Sequence, residues 1–221
     1  MLAIFKREFK SYFQNVIGWL FVAALLAVYG LYFYVYNLKN GYPYISYDLK
    51  GIGFIMMIAV PILTMRSLSD EKKTKTDQLM LTSPVSVGRI VAGKYFAMAA
   101  VYTIDIALFA LSPLVLSIYG KVALSEAYVA LFGYWLYGLS CIAVGLFISS
   151  ISESVIISAI LTFAALFLSY MMQSITGLIS SSENLLTKVL NCFDLYTPFE
   201  NFVSGCFSVT SAAYYVTVIL L

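Results

Sequence analysis

Side chains able to do covalent or metal chemistry are scarce in this sequence. It contains no histidine, the residue most used to ligate metals, shuttle protons and activate a serine nucleophile. Cys141, Cys192 and Cys206 fall at unrelated spacings, so they form neither a CxxC metal pair nor a disulfide framework; Cys192 and Cys206 can pair only if both lie outside the membrane. The stretch Gly88-Arg-Ile-Val-Ala-Gly93-Lys94-Tyr95 fits G-x4-G-K. A phosphate-binding loop also needs Ser or Thr after the lysine to ligate magnesium, and a strand before the loop. Tyr95 and an apolar helical context fail both tests, and Ser86 reads instead as the N-cap of a helix. Asp105 is a single carboxylate in an apolar run, whereas a membrane-embedded hydrolase needs paired acids or serine with histidine. No catalytic residue and no metal site is assigned.

The densest polar stretch runs from Thr64 to Ser86. Arg66, Asp70, Glu71, Lys72, Lys73, Lys75 and Asp77 lead into a short amphipathic piece, residues 76–82, which Pro84 terminates because the residue before proline disfavours helix. Such a piece, held between two apolar helices, is what a motor needs as a lever, since packed helices transmit displacement as rigid bodies. The plainer alternative is that Lys72, Lys73 and Lys75 hold a loop against anionic lipid. Glu153 lies in a tight turn at 150–154, either merely solvated or within reach of a partner docked on the same side. Asp105, in mid-membrane at a cost of about 3 kcal/mol, is expected to face the bundle or a dimer interface. There it pairs with a hydroxyl such as Tyr102 or Thr103, or carries a proton.

The elements that position these groups belong to a bilayer. Of the 221 residues 62% are hydrophobic and 11% charged, and mean hydropathy is +0.91; a soluble domain is about half apolar and a quarter charged. Apolar runs near the ~20 residues that cross a bilayer recur along the chain. Residues 1–15 read as an interfacial amphipathic helix, with Leu2, Phe5, Phe9, Tyr12, Phe13 and Val16 on one face. A signal peptide is disfavoured because the following run is too long and lacks a small-residue cleavage site. The expected spans are 16–36, 51–66 with Pro61 kinking it, 88–119, 126–149 and 154–174. A charged cytoplasmic loop occupies 67–87. An external region, 175–212, holds short or re-entrant helices near 184–190 and 198–203. Residues 213–221 begin a sixth span of about half the needed length. The fold class is therefore an all-α polytopic membrane protein with six transmembrane helices, the last incomplete. The 18 Tyr and 16 Phe read as lipid-facing or interfacial belts rather than a binding box.

Orientation follows from Lys and Arg on alternate sides. Nine (Lys6, Arg7, Lys10, Arg66, Lys72, Lys73, Lys75, Arg89, Lys94) stand against four (Lys39, Lys50, Lys121, Lys188), which places the N-terminus and the 66–94 segment in the cytoplasm. A net charge of +2 gives no reason to expect nucleic acid.

The segment 64–95 closely resembles the ABC-2 family of transporter permeases. The matching residues are Arg66, Asp70, Glu71, Lys72, Lys73, Thr76, Asp77, Leu79, Leu81, Thr82, Pro84 and Val85, with Gly93-Lys94-Tyr95 entering the third span. Lys75 stands where the family often has glycine, and Asp77 where it often has glutamate. The N-terminal helix, Gly145-Leu-Phe-Ile-Ser-Ser-Ile-Ser-Glu153 and Phe199-Glu-Asn-Phe-Val-Ser-Gly205 look like the branch of gliding-motility and nitrous-oxide-reductase-maturation permeases.

This resemblance implies a permease of a bacterial-type inner membrane, acting as an exporter. It implies two permease subunits, identical or paralogous, on two separate ATPase subunits, with room for an accessory extracytoplasmic protein. ATP and magnesium would sit on the partner, leaving this chain without cofactor or enzymatic activity. Coupling would fall to Arg66, Asp70, Glu71, Lys72, Lys73, Thr76, Asp77, Leu79, Leu81, Thr82 and Glu153. The alternative is an ion-coupled secondary transporter or channel using Asp105; inverted internal repeats, which that reading predicts, are not found in the sequence.

Overall fold

The computed structural model describes residues 2–75, 86–120, 122–179 and 193–220. Every regular element among them is helical, which satisfies backbone N–H and C=O groups within the segment where lipid offers them no partner. Among the described residues five helical stretches are long and apolar enough to cross a bilayer: Val16–Lys39, Ser46–Lys73, Val87–Tyr119, Leu124–Ile151 and Val155–Met172.

Helix α1, Leu2–Gln14, turns Phe9, Tyr12 and Phe13 onto the core and leaves Lys6, Arg7 and Lys10 outside. Leu2 and Val16, expected on the same face, are exposed instead: Leu2 stands at the outer end of α1, and Val16 lies past a bend at Asn15. After that bend comes α2, Val16–Phe33. The backbone carbonyl of Tyr12 occupies the place that a Cβ on Gly18 would need, so glycine is what allows the chain to fold back so closely. Trp19 Nε1 donates to the Phe13 carbonyl at 2.9 Å and fastens the bend.

The first span does not end at residue 36. It continues as a π-helical stretch, Tyr34–Lys39, and after a short connection α3 begins at Ser46 and runs to Thr64. The expected start at 51 is five residues late, because the polar side chains Asp48 and Lys50 lie inside the helix rather than in a loop. Pro61 lies within α3 without ending it. The short α4, Ser69–Lys73, follows. The third span is two helices, α5 (Val87–Phe109) and α6 (Ser112–Tyr119), joined at 110–111. Pro113 sits in the first turn of α6, where its missing N–H is harmless, whereas inside one continuous helix it would cost a hydrogen bond.

Helix α7, Leu124–Ile151, is the axis of the bundle: 67% of its apolar window is buried, against 22% for that of α8, Val155–Ile179, and 28% for that of α2. The last two therefore offer their outer faces to lipid or to another subunit. Beyond the expected end at 174, α8 continues to Ile179. The region near 184–190 and Cys192 lie outside the described residues. The second short helix is present as α9, Thr197–Val203. Rather than lying on the surface, it buries Phe199 and Phe202 completely, Phe199 against Tyr134 and Tyr137 and Phe202 against Gly133 of α7. Helix α10, Val209–Leu220, begins the last run four residues earlier than expected and has 12 residues. Tyr215 anchors it by donating to the Leu195 carbonyl at 2.7 Å.

Candidate coupling site

One end of the bundle gathers α1, the turn after α3, α4, the start of α5 and the α7–α8 turn. Lys94, two turns into α5, is the hub: only 2% of its side chain is exposed. Its Nζ donates to Glu71 Oε1 at 2.6 Å and to the Ser67 carbonyl at 2.8 Å, and Glu8 Oε1 lies 3.6 Å away. Arg7 pairs with Glu8 at 2.7 Å and approaches Glu71 at 3.9 Å. A buried cation is tolerable only with such a set of acceptors, and here they come from three separate elements. The charged segment, α1 and the third span are thus tied through one ammonium group.

A second tie fixes α4 to α7. The backbone N–H groups of Leu68 and Ser69 both donate to Ser149 Oγ at 3.2 Å, and Ser69 Oγ lies 3.1 Å from the Ser149 carbonyl. Helix starts leave N–H groups without intrahelical partners; this one is capped from another helix. Lys72 Nζ in turn donates to the Ser150 carbonyl near the C-terminus of α7, where orphan carbonyls and the helix dipole favour a cation. Four residues before Ser149, Gly145 sits against Thr64 of α3, so small residues let the two helices close up where α4 is held.

The predicted charged residues therefore divide. Glu71 and Lys72 turn inward as ties, while Arg66, Asp70 and Lys73 are exposed and Glu153 is exposed at the neighbouring α7–α8 turn. Arg66 and Asp70 border a cleft of about 410 Å³ that Arg7, Tyr12 and Asn15 line from the other side. Tyr12 in this lining is held as the neutral phenol: burial, then the Glu8 carboxylate, pushes its pKa above the usual range. Lys75 has φ +56°, in the left-handed region, and its N–H donates to the Lys72 carbonyl at 3.1 Å as α4 ends. It is the position where the resemblance led us to expect glycine, the residue that adopts this conformation without strain. Thr76, Asp77, Leu79, Leu81 and Thr82 lie outside the described residues.

Asp105 belongs to a different region. It is fully buried, and neither carboxylate oxygen has a hydrogen-bond partner. The pairing expected with Tyr102 or Thr103 does not form. Tyr102 donates to the Tyr134 carbonyl and Thr103 to the Ala99 carbonyl, each at 2.7 Å, so both hydroxyl hydrogens are committed to backbone carbonyls. Among the described residues no group of three metal-ligating side chains occurs.

Glu8, Lys94, Ser69 and Ser149 were not singled out from the sequence as site residues. Lys94 carries the clearest signal in retrospect, a charge two turns inside an apolar run; Ser149 shows only as the second small residue of Gly145-xxx-Ser149.

Fold and site together define a multi-pass helical membrane protein with a rigidly braced charged face at one end. The family profile described as ABC-2 family transporter protein matches residues 32–221, and the chain belongs to that family. It is accordingly the membrane permease subunit of an ABC transporter, and membership implies an ABC ATPase as its partner. The matched region begins inside α2, so α1 with Arg7 and Glu8 precedes it. Comparisons with curated proteins and with solved structures give no match.

Proposed function

We propose that the face formed by Arg66, Asp70, Lys73 and Glu153 is the handle on which a separate ATPase subunit acts, and that this chain exports a substrate without hydrolysing ATP itself. ATP and magnesium reside on the partner. Closure of two ATPase subunits pushes the 70–82 segment and shifts a permease pair, identical or paralogous, between inward and outward access. The handle and the N-terminus lie in the cytoplasm of a bacterial inner membrane, which the nine-to-four division of basic residues supports. The sequence likeness around 145–153 and 199–205 supports the gliding-motility and nitrous-oxide-reductase-maturation branch, and the direction of export rests on the same likeness.

The observation that carries the coupling role is Lys94, whose buried ammonium joins Glu71, the Ser67 carbonyl and Glu8. A displacement of α4 cannot leave α5 and α1 behind without stranding a charge. The test is purification with and without an ATPase partner. The complex is expected to turn over ATP and the single chain is not; robust turnover by the single chain overturns the reading. The ion-coupled alternative, favoured by the unpartnered carboxylate of Asp105, predicts instead transport by the chain alone.

A further inference from the structure

At the end of the bundle opposite the handle, Asn37 in the π-helical stretch meets Asp48 in the first turn of α3. Asn37 is 4% exposed and Asp48 is completely enclosed. Asn37 Nδ2 donates to Asp48 Oδ2. The other oxygen of each side chain, Asn37 Oδ1 and Asp48 Oδ1, is buried with no hydrogen-bond partner. A buried polar atom left unpaired has lost its water without compensation, and here two stand in one pair. Both are acceptors, so neither can satisfy the other without a hydrogen.

A carboxylic acid and a primary carboxamide have complementary edges, N–H to oxygen on one side and O–H to oxygen on the other. We propose that Asn37 and Asp48 form a proton-binding site. One proton, taken from water by the Asp48 carboxylate, resides on Oδ1 and is donated to Asn37 Oδ1. It closes a cyclic acid–amide pair that fastens the end of the first span to the start of the second. The proton adds one O–H bond, neutralises the carboxylate and satisfies both orphaned oxygens at once.

Among the described residues no competing partner is bonded to either oxygen. Lys39, at the end of the π-helical stretch, is exposed. Lys50, on α3, lies 3.8 Å from Glu200 of α9. Tyr29, on α2, has its hydroxyl engaged by Ser112 of α6. On α7, Tyr134 and Tyr137 turn their rings to Phe199, and Tyr170 of α8 packs on Tyr196. Among the described residues no ion pair reaches Asp48. The backbone is also specialised here: Asn40 N–H reaches back to the Val35 carbonyl at 3.3 Å, and Tyr42 N–H to the Tyr36 carbonyl at 3.1 Å. Such widened turns are uncommon and recur at functional sites.

The test is infrared difference spectroscopy on the full chain in lipid at neutral pH, comparing the wild type with Asp48→Asn. The expected result is loss of one protonated-carboxyl carbonyl band that shifts on deuteration and is unchanged when sodium or potassium is replaced by choline. Loss of carboxylate bands only, or a band that depends on the alkali ion, overturns the proposal, the second outcome pointing to a bound cation. Because an amide–amide pair keeps the complementary edges, Asp48→Asn is expected to melt with the wild type, whereas Asn37→Leu melts several degrees lower; the reverse order counts against the site. Should Asp48→Asn fail to fold, Asp105→Asn removes the buried carboxyl that, among the described residues, has no hydrogen-bond partner on either oxygen. A protonated-carboxyl band must then remain at neutral pH, and its absence overturns the proposal.

Discussion

Lys94 Nζ stands 2.6 Å from Glu71 Oε1, across 23 residues of sequence, with the lysine almost sealed from solvent. Charged segments beside a membrane are usually taken as solvated or lipid-bound, yet this one has an internal strut. It divides the segment into residues that brace and residues that face outward, and the predictions differ for the two groups.

Removing the strut is the most disruptive single change. Lys94→Met leaves Glu71 and Glu8 facing an apolar side chain. Because these carboxylates retain 18% and 17% exposure, the expected loss is about 2–3 kcal/mol, below the about 3–5 of a fully buried pair. A thermal melt of the purified chain in lipid reads it, and Glu71→Gln, which keeps an acceptor for Lys94, lowers the midpoint less.

Outward residues behave the other way. Asp70→Lys, Arg66→Glu and Lys73→Glu each leave the melt within about 0.5 kcal/mol of the wild type, as surface changes do. Each is expected to reduce ATPase assembly or coupled turnover in the reconstituted complex. A charge reversal that lowers stability while leaving turnover intact would show the face to be structural.

Ser149 caps a helix that is not its own. Ser149→Ala strips the Leu68 and Ser69 N–H groups of their acceptor, a cost of about 1–3 kcal/mol localised to α4. Hydrogen exchange at residues 68–73 is expected to accelerate while that of α7 stays unchanged.

Lys75 is strained where glycine would not be. At φ +56° the left-handed conformation costs an ordinary residue about 1–2 kcal/mol, partly offset by the entropy glycine brings to the unfolded chain. Lys75→Gly is expected to leave stability unchanged or raise it by up to about 1 kcal/mol, and Lys75→Val to lower it, both read from the same melt.

The spans were legible because length and apolarity suffice to specify a helix in lipid; α4, Ser69–Lys73, was not, because the sequence pointed only to the amphipathic piece at 76–82 as a short helix of the charged segment. What escaped depends on contacts across the chain. Asp48 reads as a loop residue until Asn37, 11 positions earlier, receives it inside the bundle. Lys94 reads as a basic residue at the start of a span until Glu71 and Glu8 enclose it. Pro113 sat within an unbroken apolar run, and only backbone geometry divides that run at 110–111. Tyr102 and Thr103 lie near Asp105 in sequence, but each hydroxyl donates to a backbone carbonyl instead.

The side of the membrane on which the handle lies decides the account. With Cys192 and Cys206 replaced by serine and the remaining Cys141 buried inside α7, the cysteine introduced by Lys73→Cys is treated in intact cells with a membrane-impermeant maleimide, and then again after permeabilisation. Labelling only after permeabilisation is the predicted result; labelling of intact cells would put the handle out of reach of any cytoplasmic ATPase and contradict the coupling mechanism.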